Sequence, residues 1–246
     1  MKVVGITRIR NEQEVIGHTL DHLKNFCDEV FVFDDCSTDK TVDICKNHSL
    51  VNSVIQNKKW ESDPKQRLLL EGSQRQAIYN KCLTVNPTWV YYFDADEFID
   101  FDYNQLINSP YDSYKLRFFD YYITKDDVDK HFLDRKYCGR EYREILCLFK
   151  AQNEVRFSHR EPTLMNGTYS AVIGKVKHYG KAISVEEWEK TCDYYANHLY
   201  EVNNGVLISE KWKKRKGKAI HSKSDFDTEL ITWDKTDNFN LITKML

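Results

Sequence analysis

The chain has 246 residues, 41% of them hydrophobic, and a formal net charge of −2 at pH 7. It can therefore bury a sizeable core, and its charge argues against general nucleic-acid binding. No apolar run reaches the roughly 18 residues that a membrane span needs, and no long apolar signal region follows Met1. The seven cysteines form no Cys-x-x-Cys pair, which favours reduced core thiols over a zinc site. We predict a cytoplasmic protein without an integral membrane segment.

Strand and helix patterns alternate through the first half of the sequence. Apolar runs predict strands at four places, namely residues 3–7, 29–33, 51–55 and 89–93. The segments between them have helical spacing, and the third helix can begin at Pro64 because proline suits the first turn. Ser37, Thr38 and Asp39 are N-cap candidates for the second helix. Strands joined in this way by helices imply a parallel sheet with right-handed crossovers.

The pattern changes beyond residue 102. Residues 113–123, 145–150 and 172–178 are predicted to be strands with irregular connections. Ser184 and Glu187 have the spacing of a capping box, which predicts the start of a final helix. The basic run at 211–218 is interpreted as a solvated helix end, with a diphosphate clamp or a membrane-surface contact as alternatives. Nothing in the sequence resembles a linker, so we predict a single α/β domain.

Residues 89–98 are the most informative segment, because an aromatic run ends there at three carboxylates, those of Asp94, Asp96 and Glu97. Asp94 and Asp96 follow the strand at the sheet edge where open α/β sheets bind ligands. Residues two apart on an extended segment point the same way, so both carboxylates can face one cation. Carboxylates suit Mg²⁺ or Mn²⁺, which keep other positions for water and substrate phosphates. The alternative is an acidic turn after a strand.

Four motifs occur in order along the first 100 residues, namely Asn11-Glu12, residues 34–39 (Asp-Asp-Cys-Ser-Thr-Asp), Gln74-Arg75 and residues 94–97 (Asp-Ala-Asp-Glu). In this order, and at these strand ends, they resemble family 2 glycosyltransferases of the GT-A fold. The resemblance implies a Rossmann-like, mostly parallel sheet with helices on both faces and a smaller mixed region on the acceptor side. It also implies a nucleotide-sugar-binding half over residues 1–100 and an acceptor and catalytic half over 101–246.

The resemblance further implies the reaction and the donor site. A metal-dependent enzyme would move one sugar from a nucleoside diphosphate sugar, most simply a UDP-sugar, to a glycan or small hydroxyl acceptor. Asp96 would ligate Mn²⁺ or Mg²⁺, while Asp94 would contact the ribose or bind the metal through water. The other donor-site candidates are Asp34 and Asp35, which would contact the uracil or ribose, Arg75 near the base or diphosphate, and Thr7, Arg8 and Arg10 in the loop after the first strand.

Each donor-site candidate has a simpler structural alternative. The aspartates after the second strand can serve as helix N-caps, and Arg75 can be a solvated charge on a helix. The loop after the first strand lacks the Pro-Thr that is usual in the family, and its backbone rather than its side chains cradles the base there.

The second half holds two candidates. His178 ends a predicted strand, and several GT-A enzymes complete their metal site with such a histidine; a structural histidine is the alternative. Glu161 lies in a segment that resembles the His-Glu segment of some lipopolysaccharide-core members of the family. It would be the catalytic base of an inverting displacement, or else form a salt bridge with Arg160 or Arg156. Two further carboxylates that border strands, Asp120 and Glu144, are reserves for the base.

Two other classes of function stay open. A haloacid dehalogenase-type phosphohydrolase also has an Asp-x-Asp after a strand, but there the motif follows the first strand of the domain. A catalytically inactive module that binds a sugar nucleotide or a glycan is the second alternative. The missing Gln-x-x-Arg-Trp motif and missing membrane spans argue against a processive polysaccharide synthase.

Overall fold

The computed structural model describes residues 1–152, 154–164, 170–198, 202–203, 206–237 and 242–243. The α-helices are α1 (Ile16–Leu23), α2 (Thr41–Asn47), α3 (Pro64–Cys82), α4 (Val185–His198) and α5 (Ile208–Arg215). The strands are β1 (Val3–Ile9), β2 (Glu29–Asp34), β3 (Val51–Gln56), β4 (Trp89–Tyr92), β5 (Glu97–Asp100), β6 (Ser113–Tyr121), β7 (Tyr137–Lys150), β8 (Val155–Phe157), β9 (Pro162–Leu164), β10 (Ser170–His178), β11 (Val202–Asn203), β12 (Val206–Leu207), β13 (Ile231–Thr232) and β14 (Ile242–Thr243). Short 3₁₀ turns cover Leu83–Val85, Tyr103–Leu106, Phe132–Asp134 and Trp233–Asp237.

The main sheet has the strand order β3-β2-β1-β4-β7-β6-β10-β5, and β13 and β14 both pair with β7. As the sequence predicts, the β1–β2, β1–β4 and β2–β3 pairs are parallel. The β4–β7 pair is antiparallel. The carboxyl ends of β1, β2, β3 and β4 therefore lie at one edge of the sheet, where the predicted donor-site residues follow them.

Helical segments cover both faces of this parallel region. Ile78 and Tyr79 of α3 share a buried cluster with Val90 and Tyr92 on one face. Successive strand side chains point to opposite faces, so Tyr91 lies on the other face. There its ring meets Phe26, just after α1, with the two ring centroids 5.5 Å apart. The predicted α/β fold class, a mostly parallel sheet with helices on both faces, is confirmed.

Several predicted boundaries need correction. Thr7 and Arg8 lie inside β1 rather than in the loop after it, because the parallel pairing with β2 continues to Ile9. Helix α2 has Lys40 at its N-cap position without a side-chain cap, although the Thr41 N–H donates to Asp39 Oδ1 at 2.9 Å. Strand β5 was not predicted. Strand β7 begins eight residues before the predicted start at 145, where β13 and β14 pair with it.

The end of the chain also differs from the prediction. The Ser184 hydroxyl accepts a hydrogen bond from the Glu187 N–H at 3.1 Å, so this part of the predicted capping box forms before α4. A further helix, α5, follows α4, which is therefore not the last. The basic run begins within α5 and continues past its end at Arg215, as predicted for a helix end. None of the helices in the described ranges combines the length and the hydrophobicity that a membrane span requires.

The chain forms two compact units. The first comprises Met1–Glu61, Lys65–Arg117 and Glu144–Val176, and the second comprises Ser62–Pro64, Phe118–Arg143 and Lys177–Leu246. The core of the first unit contains the cluster between α3 and the parallel strands. The second unit has a smaller cluster in which Trp188 and Cys192 of α4 pack with Trp212 of α5. All seven cysteines are free thiols, as predicted. The division of one domain into halves at residue 100 stays a prediction.

Gly5 lets β1 pack closely against its neighbours, and we expect Gly5→Ala to lower the free energy of unfolding by about 1–3 kcal/mol. An added Cβ would lie 2.9 Å from Val30 Cγ2 and 3.1 Å from Phe93 Cε1. Gly17→Ala is the matched control, because its Cβ would lie 3.5 Å from Ile44 Cγ2 in α2. It should stabilise the helix by no more than about 1 kcal/mol. Urea denaturation measures both; equal stability of the two variants would contradict the expectation.

Candidate functional site

The loops after β1 and β2 are joined to each other at the carboxyl edge of the sheet. Asn11, in the left-handed region with a φ of 56°, donates its N–H to Ser37 Oγ at 2.9 Å. Its side-chain Oδ1 accepts a hydrogen bond from the Thr38 N–H at 2.8 Å. Asparagine tolerates this backbone conformation better than most residues. The motif residues Asn11 and 34–39, separate in the sequence, therefore form one loop pair.

Asp35 is at the centre of a buried polar network in the first unit. Its Oδ2 accepts from Arg8 Nη2 at 2.7 Å. Its Oδ1 accepts from Asn57 Nδ2 at 2.8 Å and from Gln74 Nε2 at 3.2 Å. Gln74 Oε1 in turn accepts from Arg8 Nε at 2.5 Å. The structure thus brings together Arg8, Asp35 and Gln74, the residue before Arg75. The contacts of Arg8 and Asp35 with a nucleotide stay predictions.

Asp34 has a local structural role. Both of its carboxylate oxygens accept from the Ser37 N–H, at 3.3 and 3.2 Å, and the residue is buried. The Asp34 carboxylate therefore stabilises the turn after β2. This role resembles the N-cap alternative, but the turn lies before α2 and does not begin the helix. Thr7 is also buried, inside β1. The contacts of Asp34 and Thr7 with a nucleotide sugar stay predictions.

Arg75 is buried within α3, so the interpretation as a solvated charge is wrong. Its Nε donates to Tyr92 Oη at 2.8 Å, and its Nη1 donates to Glu71 Oε2 at 3.1 Å. Burial opposes its charge, but Tyr92, Glu71 and Asp94 outweigh that effect and raise the pKa of Arg75. Burial also raises the pKa of Tyr92 to about 12. Arg75 is a fixed cation near Asp94, and its contact with the base or diphosphate stays a prediction.

The Asp94–Glu97 turn follows β4 and is held by its own last carboxylate. Glu97 Oε2 accepts from the Asp94 N–H at 3.0 Å, and the Glu97 side chain is fully buried. The Thr19 hydroxyl of α1 donates to the Ala95 carbonyl oxygen. The Asp94 side chain, by contrast, is 36% exposed. The turn therefore presents Asp94 at the sheet edge, and its carboxylate oxygens are ligands that a hard cation prefers.

Arg160 neutralises part of this carboxylate cluster, a pairing that no motif in the sequence predicts. Its Nη1 lies 3.5 Å from Asp94 Oδ2, and its Nη2 donates to Glu97 Oε1. Glu161 makes a different contact, because its Oε2 accepts from the Leu146 N–H at 2.8 Å. Arg160 thus pairs with the acidic turn. The role of Glu161 as catalytic base stays a prediction.

In the second unit, Asp120 contacts two cationic side chains and a histidine. Its Oδ1 accepts from Arg143 Nη2 at 2.6 Å and from His178 Nδ1 at 2.7 Å, and its Oδ2 accepts from Lys181 Nζ at 2.7 Å. Burial opposes its charge, but Lys181, His178 and Arg143 hold the pKa of Asp120 well below its usual range. Such a carboxylate is a poor proton acceptor, so Asp120 is a weak reserve for the base. His178 as a metal ligand stays a prediction.

A comparison with known families bears on one of the alternatives left open above. The family model described as Glycosyl transferase family 2 matches residues 6–156. The chain belongs to glycosyl transferase family 2. This membership confirms the resemblance seen in the motifs and favours a glycosyltransferase over a haloacid dehalogenase-type phosphohydrolase.

Relatives of this family 2 chain match part of its length. Two uncharacterized proteins, from Mycobacterium bovis and Mycobacterium tuberculosis, are each 32% identical over 102 residues, which is 42% of this chain and 25% of theirs. The chain thus spans about a quarter of the length of these curated relatives.

Solved structures of two proteins are also similar. One is glucosyl-3-phosphoglycerate synthase from Mycobacterium tuberculosis in complex with Mn²⁺, UDP and glucosyl-3-phosphoglycerate, at 15% identity and a TM-score of 0.32, covering 48% of this chain and 44% of that one. The other is HddC from Yersinia pseudotuberculosis complexed with GMP-PN, at 12% identity and a TM-score of 0.40, covering 79% of this chain and 100% of that one.

Proposed function

We propose that the chain is a metal-dependent glycosyltransferase that moves one sugar from a nucleoside diphosphate sugar, most simply a UDP-sugar, to a hydroxyl acceptor. The observation that carries the proposal is the Asp94–Glu97 turn at the carboxyl end of β4, in a chain whose family is glycosyl transferase family 2. The acceptor would be a glycan or a small molecule.

The reaction explains why carboxylates and fixed cations meet at this edge. Breaking the bond between the sugar and the diphosphate leaves negative charge on the diphosphate. Preorganised positive charges at that place stabilise the transition state. Mn²⁺ or Mg²⁺ held by Asp96 and Asp94 would supply part of this charge. Arg75, fixed by Glu71 and Tyr92, would supply another part without any rearrangement.

The acceptor has to lose a proton as its hydroxyl attacks the anomeric carbon. Glu161 is our candidate for the base, in a single displacement that inverts the anomeric configuration. Its carboxylate is held by the Leu146 N–H through one oxygen, so the group is oriented while the other oxygen can take a proton.

The proposal predicts that UDP binds much more tightly with Mn²⁺ or Mg²⁺ than with a chelator, because Asp94 and Asp96 would hold a hard cation whose charge favours phosphate binding. Isothermal titration calorimetry measures both conditions. Asp96→Asn should remove most of the metal-dependent gain, whereas Asp43→Asn, at an exposed position in α2, should leave it unchanged. Equal UDP affinity with metal and with chelator would contradict the metal role.

Donor identity and activity need a second measurement. A thermal-shift panel of UDP-, GDP-, dTDP- and CMP-sugars reports the preferred nucleotide, since a ligand that binds the native state raises its stability. Release of the sugar from the preferred donor, with or without an acceptor, separates an active enzyme from an inactive binding module. A chain that binds the donor but never releases its sugar would support the inactive module.

A further inference from the structure

Arg10 follows β1 directly and lies against Trp60, a residue of the segment between β3 and α3. The Arg10 guanidinium carbon lies 4.3 Å from the centroid of the Trp60 ring. The guanidinium carbon of Arg67 lies 5.4 Å from the same centroid. Contact with an aromatic face fixes a cation while leaving its N–H groups able to bind an acceptor at the ring edge. We call Arg10 and Trp60 the Arg10–Trp60 pair.

Unlike Arg8 and Arg75, Arg10 forms no ion pair with any residue that the structure describes. Arg8 pairs with Asp35, and Arg75 pairs with Glu71. Among the residues that the structure describes, the Arg10 side chain has neither an ion pair nor a hydrogen bond, and its Nε is buried without an acceptor. A buried donor without an acceptor destabilises a protein, more so when it is charged. The Arg10 guanidinium is therefore suited to bind an anion that comes from outside the chain.

The Arg10–Trp60 pair adjoins the Asp35 network. Cys36, the residue after Asp35, donates its thiol to the Asn57 carbonyl oxygen at 3.2 Å, and Asn57 Nδ2 reaches Asp35. Burial and the charges of Asp35 and Asp34 raise the pKa of the Cys36 thiol, and the Arg10 charge opposes that rise. The pair therefore lies at the carboxyl edge of β1, β2 and β3, beside the carboxylates predicted to contact the nucleoside.

We propose that the Arg10–Trp60 pair is an anion subsite that binds a phosphate group of the donor nucleotide. The ligand class rests on the proposed function. A guanidinium presents several N–H donors in a planar fork that matches phosphate oxygens, and a full negative charge compensates the cation better than a base carbonyl does. Arg10 is the binding residue, and Trp60 is a positioning residue that keeps the fork in place.

The test compares three probes, UDP, uridine and pyrophosphate, by calorimetry in the presence of Mn²⁺. Arg10→Gln should weaken UDP and pyrophosphate binding roughly 10- to 100-fold, the range of a lost charged hydrogen bond. Its uridine affinity should change by less than about twofold, because uridine carries no phosphate. Arg156→Gln is the matched control, since Arg156 is an exposed arginine of β8 in the same unit.

Trp60 is tested by a conservative and a non-conservative replacement. Trp60→Leu removes the aromatic face and should weaken UDP binding with little effect on uridine, whereas Trp60→Phe should retain most of the affinity. A merely structural role of Trp60 would lower the melting temperature and weaken both ligands together. Arg10→Lys, which keeps the charge but not the fork, serves if Arg10→Gln fails to fold, and should weaken UDP binding less.

Each outcome distinguishes this inference from the proposed function. Wild-type UDP affinity in Arg10→Gln would overturn the anion subsite and leave the proposed function intact. An equal loss of uridine and UDP affinity would also overturn it, because the pair would then contact the nucleoside. A wild-type protein that binds pyrophosphate through Arg10 but no nucleotide would support the subsite and contradict the proposed donor. Failure to bind any of the three probes would overturn both.

Discussion

Asp120→Asn is expected to lower the free energy of unfolding by about 3–5 kcal/mol at pH 7, the usual cost of removing one partner of a buried ion pair. The wild-type carboxylate neutralises Arg143 and Lys181, whose side chains are 18% and 11% exposed. An amide of the same shape leaves those cations buried with less compensation. Lys181 also pairs with Asp225, at 2.7 Å, and keeps this partner in the variant. The lost stability therefore comes mainly from the contacts that Asp120 itself makes.

The pH dependence of this loss has a definite sign. The pKa of Asp120 is lowered in the folded protein, relative to an ordinary value of 3.8, because Lys181, His178 and Arg143 outweigh the effect of burial. Its contribution is therefore present above the unfolded pKa and is lost as the pH falls through the folded pKa. The difference in stability between wild type and Asp120→Asn should be full near pH 7 and should shrink below about pH 4.

Urea denaturation at pH 7 and at several acidic values measures this difference. Asp193→Asn is the matched control in the same unit, because Asp193 pairs with Lys216 at the surface, where the two side chains are 51% and 52% exposed. That exposed pair should contribute little to stability, far less than the Asp120 network. A loss in Asp120→Asn that is no larger than in Asp193→Asn, or one that is independent of pH, would contradict the buried-network interpretation.

The parallel region of the fold was predictable because local signals and tertiary packing agree there. Apolar runs and helical spacing gave β1 to β4 in their order, and proline marked the start of α3. The wrong strand boundaries lie where pairing with a neighbouring strand, rather than residue composition, determines where a strand begins or ends. The sequence shows why residues 3–7 form a strand, but the extension of β1 to Ile9 depends on continued hydrogen bonding with β2. Residues 137–144 likewise carry many polar side chains, yet β13 and β14 pair with them.

The candidate site likewise has one part that the sequence predicted and another that it did not. Spacing along one strand predicted that Asp94 and Asp96 follow β4, and the motif order placed Asp35 and Arg75 among the donor-site candidates. The contact between Asp35 and Gln74 was not predicted. The partners that fix these groups come from distant segments, so no local pattern shows them. Arg160 lies 63 residues from Glu97 in the sequence, and its pairing with the acidic turn depends on the fold. The one available signal was the third carboxylate, Glu97, because a buried acidic residue needs a cation.

The same reasoning makes Glu161 the most informative residue for the chemistry, and Glu161→Gln is expected to slow sugar transfer by about 10²- to 10⁴-fold. Glutamine is almost the same shape, and its side-chain oxygen can still accept from the Leu146 N–H that now binds Glu161 at 2.8 Å. The variant should therefore fold normally and bind UDP with unchanged affinity, because ground-state binding does not require a base. Glu154→Gln, at an exposed position before β8, is the matched control.

Initial-rate kinetics with the preferred donor and NMR of the product measure the two parts of this expectation. A single displacement places the base on the acceptor side of the anomeric carbon, so the wild-type product should have the inverted configuration. A product of retained configuration would contradict the single displacement, even if Glu161→Gln were inactive. Full activity of Glu161→Gln with an inverted product would assign the base to another carboxylate. Asp120 would remain a poor choice, because its surrounding cations hold its pKa well below the usual range, which leaves Glu144 as the next residue to replace.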